Sequence, residues 1–301
     1  MMQSKILIAR KYGQANVLEF YDNMLPELEQ GMARIQVKVA GINPIDARRM
    51  TGEFKHAQLP QAFGTEFSGV IIGIEGSHSE WAIGDEVLGS GGTFTHATII
   101  DVPVASLVRK PQNMSWATAG TLAGVAQTAM TILNEMGDVK SLLVHGASGG
   151  VGSIIVQLAV EKGIDVVATA SEKNQDYLRE LGATAVVYGT GLTERLEAIH
   201  PVLFDASIDM AGNEEATQAT LAHVKKGGFM GSIAGRKLSS PLIQAVWSKR
   251  NPANLKYVTE GVASGKFSWI VSREYPFAEA AQAYDDILHG HTRGKSALIF
   301  E

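Results

Sequence analysis

Between Gly146 and Gly152 the chain reads Gly-Ala-Ser-Gly-Gly-Val-Gly. Glycine lets a chain reverse tightly there and brings backbone amides close to an anion at a helix N-terminus. The apolar run Leu142-Leu143-Val144 precedes this turn, and Ile154, Ile155, Leu158 and Ala159 follow it at helical spacing. Strand, glycine turn and helix together predict a dinucleotide pyrophosphate site at Gly146, Ser148, Gly149, Gly150, Val151 and Gly152. The spacing is GxxGxxG instead of GxGxxG, and a plain turn between strand and helix uses the same glycines.

A second strand, Asp165 to Ala170, ends at Ser171, with Lys173 close behind. A site that grips a ribose 2′-hydroxyl places Asp or Glu there, roughly 20 residues past the glycines. A hydroxyl and a cation instead suit a 2′-phosphate, which a carboxylate repels. These residues therefore favour NADPH over NADH. Glu172 lies between them, and a side chain turned inward would weaken or reverse that preference.

No residue reads as an obvious general acid. Asn43, Asp46 and Tyr12 are the catalytic candidates. Asn43 can donate to a carbonyl or to a nicotinamide ribose, and it can equally cap the helix that Pro44 opens. Asp46 is a first-turn carboxylate favoured by the helix dipole. Tyr12 suits a substrate pocket or plain packing. Ser148 lacks the surroundings of a serine-hydrolase elbow. His289 and His291 form an HxH pair without a third ligand, and His145 reads as a packed strand-end residue, so no metal is expected.

The elements that position these groups fall into two blocks. Residues 1–110 read as short strands with glycine punctuation: Lys5 to Arg10, Val17 to Tyr21, Ala33 to Val39, Phe67 to Ile74 and Thr93 to Ile100. Ile35, Val37 and Val39 alternate with Arg34, Gln36 and Lys38, the pattern of a half-exposed antiparallel strand. From Trp116 the rhythm becomes strand and helix in turn, with strands at 141–145, 165–170, 184–188, 203–209 and 228–234, which predicts a parallel sheet. Ser171 suits an N-cap and Gly182 a helix stop. The tail, 266–301, returns to extended segments, Phe267–Val271 and Ser296–Phe300, around an alanine-rich helix at Ala278 to Leu288, and rejoins the first domain.

The chain has 301 residues, which suggests roughly two domains. A formal charge of −5 argues against nucleic acid as a partner. There is no cysteine, which excludes disulfides, thiolate metal sites and cysteine nucleophiles. Pro111 to Asn134 is uncharged but carries many hydroxyl and amide side chains, so it reads as a buried helix between domains and not a membrane span. A soluble cytoplasmic protein is expected.

Several segments, in order, resemble the zinc-independent quinone oxidoreductases of the medium-chain dehydrogenase/reductase superfamily. They are AGINPIDARRMTGEF (40–54), LPQAFGTEFSGVI (59–71), GDEV (84–87), HGASGGVG (145–152), RELGATAVV (179–187) and HTRGKSALIF (291–300). The resemblance implies an α/β chain with a GroES-like β-barrel catalytic domain, residues 1–115 and 262–301. It also implies a Rossmann NADPH-binding domain, residues 116–261. Zinc-bearing relatives carry a cysteine at the position of Asn43 and a histidine at that of Thr65, both poor zinc ligands here. Without a Lewis acid, reduction of an acceptor that is already electrophilic is the expected chemistry, a quinone or a conjugated enone.

By the same resemblance, Ser171, Lys173 and Tyr188 hold the 2′-phosphate end of NADPH, and Arg293 reaches it from the tail. Asn43, Thr128, Ala211, Ser232 and Ile233 complete the cofactor contacts. The family often carries an aromatic where this chain has Arg48 and Arg49. Its usual homodimer forms across the sheet edge near residues 236–251, which leave room here for one short strand at most. An enoyl or enal double-bond reductase, and an NADPH-binding sensor without turnover, are the alternative readings.

Overall fold

The computed structural model describes every residue except 1, 56–57, 77–79, 92–93 and 291. In chain order the first elements are β1 (Gln3–Ala9), β2 (Leu18–Met24), β3 (Met32–Ile42), α1 (Pro44–Thr51) and β4 (Gln61–Ala62). β5 (Phe67–Ile74), β6 (Glu86–Gly89), β7 (Ile99–Pro103), β8 (Leu107–Arg109), α2 (Trp116–Gly120) and α3 (Ala123–Met136) follow. Next come β9 (Ser141–His145), α4 (Gly150–Glu161), β10 (Asp165–Ala170), α5 (Gln175–Glu180), β11 (Thr184–Val187) and α6 (Leu192–Ile199). β12 (Phe204–Asp209), α7 (Glu214–His223), β13 (Val224–Ser232) and β14 (Gln244–Ala245) precede α8 (Pro252–Ala263), β15 (Val271–Pro276), α9 (Ala280–His289) and β16 (Lys295–Ile299).

Two units emerge, one of residues 1–124, 250–266 and 270–301, the other of residues 125–249 and 267–269. The sequence expectation drew the boundaries at 115 and 262, so α2 and most of α8 fall on the other side. In the first unit, β3 is the organising strand. Its alternation holds: Ala33, Ile35, Val37 and Val39 are buried while Gln36 is exposed. It pairs antiparallel with β5, β7 and β16 in a seven-stranded sheet of order β15-β16-β3-β5-β6-β8. β2-β1-β4 form a smaller sheet. Phe63, Phe67, Met50 and Tyr284 are fully enclosed in the core, each worth roughly 1.5–3 kcal/mol in apolar burial.

The strand expected from Thr93 to Ile100 is regular only from Ile99; Thr93 lies outside the described residues. The amides of Thr95 and His96 both donate to the Phe63 carbonyl at 3.0 Å. The backbone of residues 96–98 meets β1 only through an isolated bridge, Ile6 with Ala97, and the flanking bonds of Leu7 to His96 and Thr98 to Lys5, so no regular ladder runs before Ile99.

The second unit is a six-stranded parallel sheet of order β11-β10-β9-β12-β13-β14, the doubly wound arrangement. α4 is buried more widely than an amphipathic stripe predicts: Ser153, Val156 and Gln157 join Ile154, Ile155, Leu158 and Ala159 inside. Gln157 keeps its polar end by donating to the Ser153 carbonyl and accepting from the Ser268 amide at 2.6 Å. Residues 236–251 supply the two-residue strand β14. Among the described residues no helix is long and apolar enough to cross a membrane.

Candidate functional site

In the first unit the candidate residues gather where β3 ends. Asn43 takes the N-cap position of α1 with extended backbone, φ −119° and ψ 151°, and Pro44 opens the helix. Asp46 is fully buried. Its carboxylate accepts from the Asn43 amide at 3.0 Å and the Gly64 amide at 3.1 Å, tying the helix start to the loop that carries Thr65 and Glu66.

Antiparallel pairing sets Ser296 opposite Ile42, which brings the neighbouring Lys295 to the same corner. Lys295 is buried, and its Nζ donates to the Ile42 carbonyl at 2.9 Å, Asn43 Oδ1 at 2.7 Å and Glu66 Oε1 at 2.6 Å. An ammonium has three protons and no acceptor. It therefore requires Asn43 to turn its oxygen toward Lys295 and its Nδ2 the other way. Nδ2 then donates to Glu66 Oε1 at 3.0 Å and Thr65 Oγ1 at 3.2 Å. Glu66, fully enclosed, receives a further bond at Oε2 from the Gly124 amide at 2.7 Å. The pair is buried but saturated, the condition under which buried charges are tolerated.

Beneath this corner lies His96, buried, with Nε2 3.0 Å from the Gly41 carbonyl and Nδ1 2.8 Å from the Tyr284 hydroxyl. Burial, outweighing the nearby Asp46, holds its imidazole below the usual histidine range. A carbonyl only accepts, so neutral His96 carries its proton on Nε2 and accepts from Tyr284 at Nδ1.

In the second unit β9 runs into the glycine turn and α4. Gly146 has φ +73°, a left-handed conformation suited to glycine. A Cβ on Gly152 would lie 2.6 Å from the Ala147 Cα and 2.7 Å from the Gly146 carbonyl, both backbone atoms. At Gly149 the nearest atom would be 3.5 Å away. The first α4 amide to bond within the turn is Ser153, to the Gly149 carbonyl at 2.9 Å. The amides of Gly150, Val151 and Gly152 precede it, in the first-turn positions that bind phosphate. This cradle fits a dinucleotide.

The comparisons with known proteins agree with both halves. The alcohol dehydrogenase GroES-like domain family matches residues 29–137, and the zinc-binding dehydrogenase family matches residues 181–298. An NADPH-dependent alkenal/one oxidoreductase of Arabidopsis thaliana, chloroplastic, is 29% identical over 97% of this chain and 78% of its own length. A 2-methylene-furan-3-one reductase of Solanum lycopersicum is also 29% identical, over 95% of this chain and 76% of its own. The quinone oxidoreductase structure from Coxiella burnetii superposes with a TM-score of 0.88 at 28% identity, covering 100% of both chains. In sequence and in fold the chain is similar to the quinone oxidoreductase-like family of medium-chain dehydrogenases/reductases.

Within that family, zinc is the group the matched description implies, and the residues do not fit it. The Asn43–Glu66 corner is filled by the ammonium of Lys295, a cation that cannot ligate zinc and repels it. Among the described residues no three His, Cys, Asp or Glu side chains group as metal ligands.

The remaining sequence candidates lie as follows. Tyr12 packs its ring on Gly52, the C-cap of α1, where a Cβ would meet it at 2.9 Å, and Lys55 sits 5.5 Å over it. No hydrogen bond joins it to the Asn43 corner among the described residues. Arg49 donates to the Ala62 carbonyl at 3.2 Å and stands over Phe63 at 5.9 Å. Thr128 is partly exposed on α3, and Arg293 is partly exposed just before β16.

At the carboxyl edge of the parallel sheet, Asp209 Oδ1 accepts from the amides of Ala211 at 2.8 Å and Gly212 at 3.0 Å. Burial pushes this carboxyl up, against the pull of those amides. Ser232 is paired beside Asp209, and Ile233 donates to the Asp209 carbonyl at 3.0 Å. A Cβ on Gly146 would lie 3.3 Å from the Ala211 nitrogen, so these strand ends meet the glycine turn.

Ser171 precedes a single 3-10 turn, Glu172–Asn174, with no capping bond from its side chain, and the N-cap position of α5 falls to Asn174 instead of Ser171. The residue this turn points at the glycine loop is Asn174, which sequence reading missed. It is 4% exposed, and its Nδ2 lies 3.2 Å from Ser148 Oγ and 3.1 Å from Ser171 Oγ. Lys173 is exposed, one residue round the turn. Glu172 faces a surface groove of about 410 Å³ that Asp176, Arg179 and Arg195 also line. Tyr188, 41% exposed, follows β11 and donates from its amide to the Ala170 carbonyl at 3.2 Å, which sets it beside Ser171.

His145 is buried with Thr169 Oγ1 3.4 Å from its Nδ1, a packed strand-end residue. His289 is exposed and bonds the Asp285 carbonyl at 2.8 Å; its HxH partner lies outside the described residues.

Proposed function

We propose that the chain is an NADPH-dependent reductase of quinones and of alkenals or enones, acting by hydride transfer without metal or flavin. The observation that carries this reading is the Asn43, Thr65, Glu66 corner saturated by the Lys295 ammonium. It offers hydrogen-bond chemistry to an acceptor oxygen and no Lewis acid, which suits an acceptor already electrophilic. Bound NADPH supplies the hydride. The family and the alkenal/one oxidoreductase at 29% identity support the same class.

In this reading the pyrophosphate rests on Gly146, Ser148, Gly149, Gly150, Val151 and Gly152. Ser171, Lys173 and Tyr188 take the 2′-phosphate, with Arg293 joining from the tail. Ala211, Ser232, Ile233, Thr128 and Asn43 serve the nicotinamide half. Asp46 acts by holding Asn43 and the Thr65 loop.

We also read the chain as a cytoplasmic homodimer that binds no nucleic acid, in keeping with its charge of −5. Leu242 and Trp247, 67% and 61% exposed, flank the two-residue edge strand β14 and supply an apolar edge for a second copy. Sedimentation velocity of the purified chain tests that part.

The deciding experiment follows NADPH absorbance in purified protein against a panel of quinones, alkenals and enoyl thioesters. Turnover of quinones or alkenals is expected. Binding of NADPH without turnover of any acceptor would leave a cofactor-binding sensor in its place.

A further inference from the structure

We propose that the Thr65 hydroxyl is the hydrogen-bond donor to the acceptor's carbonyl oxygen, aimed by a relay from Lys295 through Asn43. The inference rests on the reductase reading above.

A count of donors leads to it. Lys295 spends its three protons on Ile42, Asn43 and Glu66. Asn43 spends both Nδ2 protons on Glu66 and Thr65. Thr65 Oγ1 is therefore used as an acceptor, and its own O–H donates to no described residue. Asp46, Glu66 and Lys295 are buried, whereas Asn43 and Thr65 are partly exposed. Among the described side chains of Lys295, Asn43 and Thr65, a carbonyl oxygen brought to this corner thus meets one uncommitted proton, that of the Thr65 hydroxyl. For Asn43 to donate directly it would first have to release Thr65 or Glu66.

The relay also strengthens that donor. The ammonium polarises the Asn43 carbonyl, the Asn43 N–H becomes a better donor to Thr65 Oγ1, and the Thr65 O–H gains in turn. Such coupling adds about 10–30% per bond in condensed phase. Lys295 and Asn43 are positioning residues in this scheme, and Thr65 is the catalytic one.

The chemistry balances as follows. NADPH delivers two electrons and one hydrogen to the β-carbon of an enone, forming a C–H bond. The C=C π pair shifts to make an enolate, whose oxygen gains the charge and takes the Thr65 hydrogen bond. Water then supplies the proton to the α-carbon. With a quinone, hydride and one proton from water give the hydroquinone. Thr65 keeps its own proton throughout.

The test compares wild type with Thr65→Val, which removes the hydroxyl at nearly constant volume, and Thr65→Ser, which restores it. Thr65→Ala serves as a second hydroxyl-free variant should valine disturb the loop. Each is assayed for kcat with an enone, for NADPH binding by fluorescence, and for the isotope effect with 4-deuterated NADPH. Removing one oxyanion donor lowers kcat by about 100-fold or more. That loss is expected for Val and Ala, with NADPH affinity unchanged and a larger deuterium effect on kcat, and with most of the rate recovered in Ser. Wild-type kcat in Thr65→Val, or Ser as slow as Val, overturns the proposal. So does an equal loss of NADPH binding in Val and Ala, because the role would then be structural. Wild type that reduces no acceptor at all overturns the reductase reading and this inference together, whereas an active wild type with an unaffected Thr65→Val overturns the inference alone.

Discussion

Lys295 and Glu66 stand 229 residues apart in sequence and 2.6 Å apart in space, both buried, at the junction of β16, β3 and the loop before β5. Each is the other's only formal countercharge within hydrogen-bond reach among the described residues. Removing one strands the other.

That pairing predicts an asymmetric double-mutant result. Lys295→Met leaves the Glu66 carboxylate buried without its cation, a loss of about 3–5 kcal/mol for a broken buried pair. Adding Glu66→Gln in the Lys295→Met background removes the stranded charge while keeping an acceptor for the Gly124 amide. Urea denaturation is expected to show the double variant more stable than Lys295→Met alone. Additive losses would show that the two charges do not depend on each other.

A second prediction concerns acid. Burial, with a further push from His223, holds the His145 imidazole down to about 4, against 6.5 for an unperturbed histidine. The unfolded chain therefore binds a proton first as pH falls, so this histidine's contribution is complete above about pH 7 and is lost progressively toward pH 4. The gap corresponds to roughly 3 kcal/mol. His96, also buried and held low, adds a term of the same sign. His145→Leu stays neutral at every pH, so its stability curve between pH 7 and pH 4.5 should be flatter than that of wild type. Parallel curves from urea titrations would refute the assignment.

Much of this architecture is legible in local pattern. The alternation around Ile35, Val37 and Val39 and the glycine turn after Leu142–Val144 are signals carried within ten residues, and both elements form where the pattern puts them. Lys295–Glu66 and His96–Tyr284 are not legible that way. Their meeting depends on the register of β16 against β3 and on the docking of α9, neither of which a local period encodes. The available hint was a lone lysine opening the otherwise uncharged strand Lys295–Ile299. Asn174 was hidden for a different reason: a single 3-10 turn follows Ser171 and brings the Asn174 side-chain amide nitrogen to 3.2 Å from Ser148 in the loop.

The glycine turn offers a paired comparison. Alanine at Gly152 drives its Cβ to 2.6 Å from the Ala147 Cα, a backbone clash that only movement of the loop relieves. Overpacking of this kind costs about 1–3 kcal/mol, and the displaced amides should weaken NADPH binding by at least about 10-fold, on the scale of 1.4 kcal/mol per decade. Gly149→Ala meets nothing closer than 3.5 Å at an ordinary φ of −76° and should keep wild-type stability. Thermal melts and fluorescence titration check both. Equal destabilisation by the two substitutions would contradict the packing argument.

The last prediction addresses which nucleotide is chosen. Asn174 sits within hydrogen-bond distance of both Ser148 and Ser171, so it links the loop proposed for the pyrophosphate to the strand end proposed for the 2′-phosphate. Asn174→Asp introduces a carboxylate at that link without changing its size. Repulsion should fall mainly on the extra phosphate of NADPH, reducing its affinity by about 10-fold or more relative to NADH, a difference of roughly 1–2 kcal/mol for a close like-charge pair partly screened by water. Lys173→Ala removes a cation from the exposed side of the same turn and should weaken NADPH while sparing NADH. Parallel titrations of both nucleotides against both variants settle the arrangement. If Lys173→Ala affects the two nucleotides equally while Asn174→Asp separates them, discrimination lies on the buried face of the turn. If neither separates them, the 2′-phosphate does not bind at Ser171.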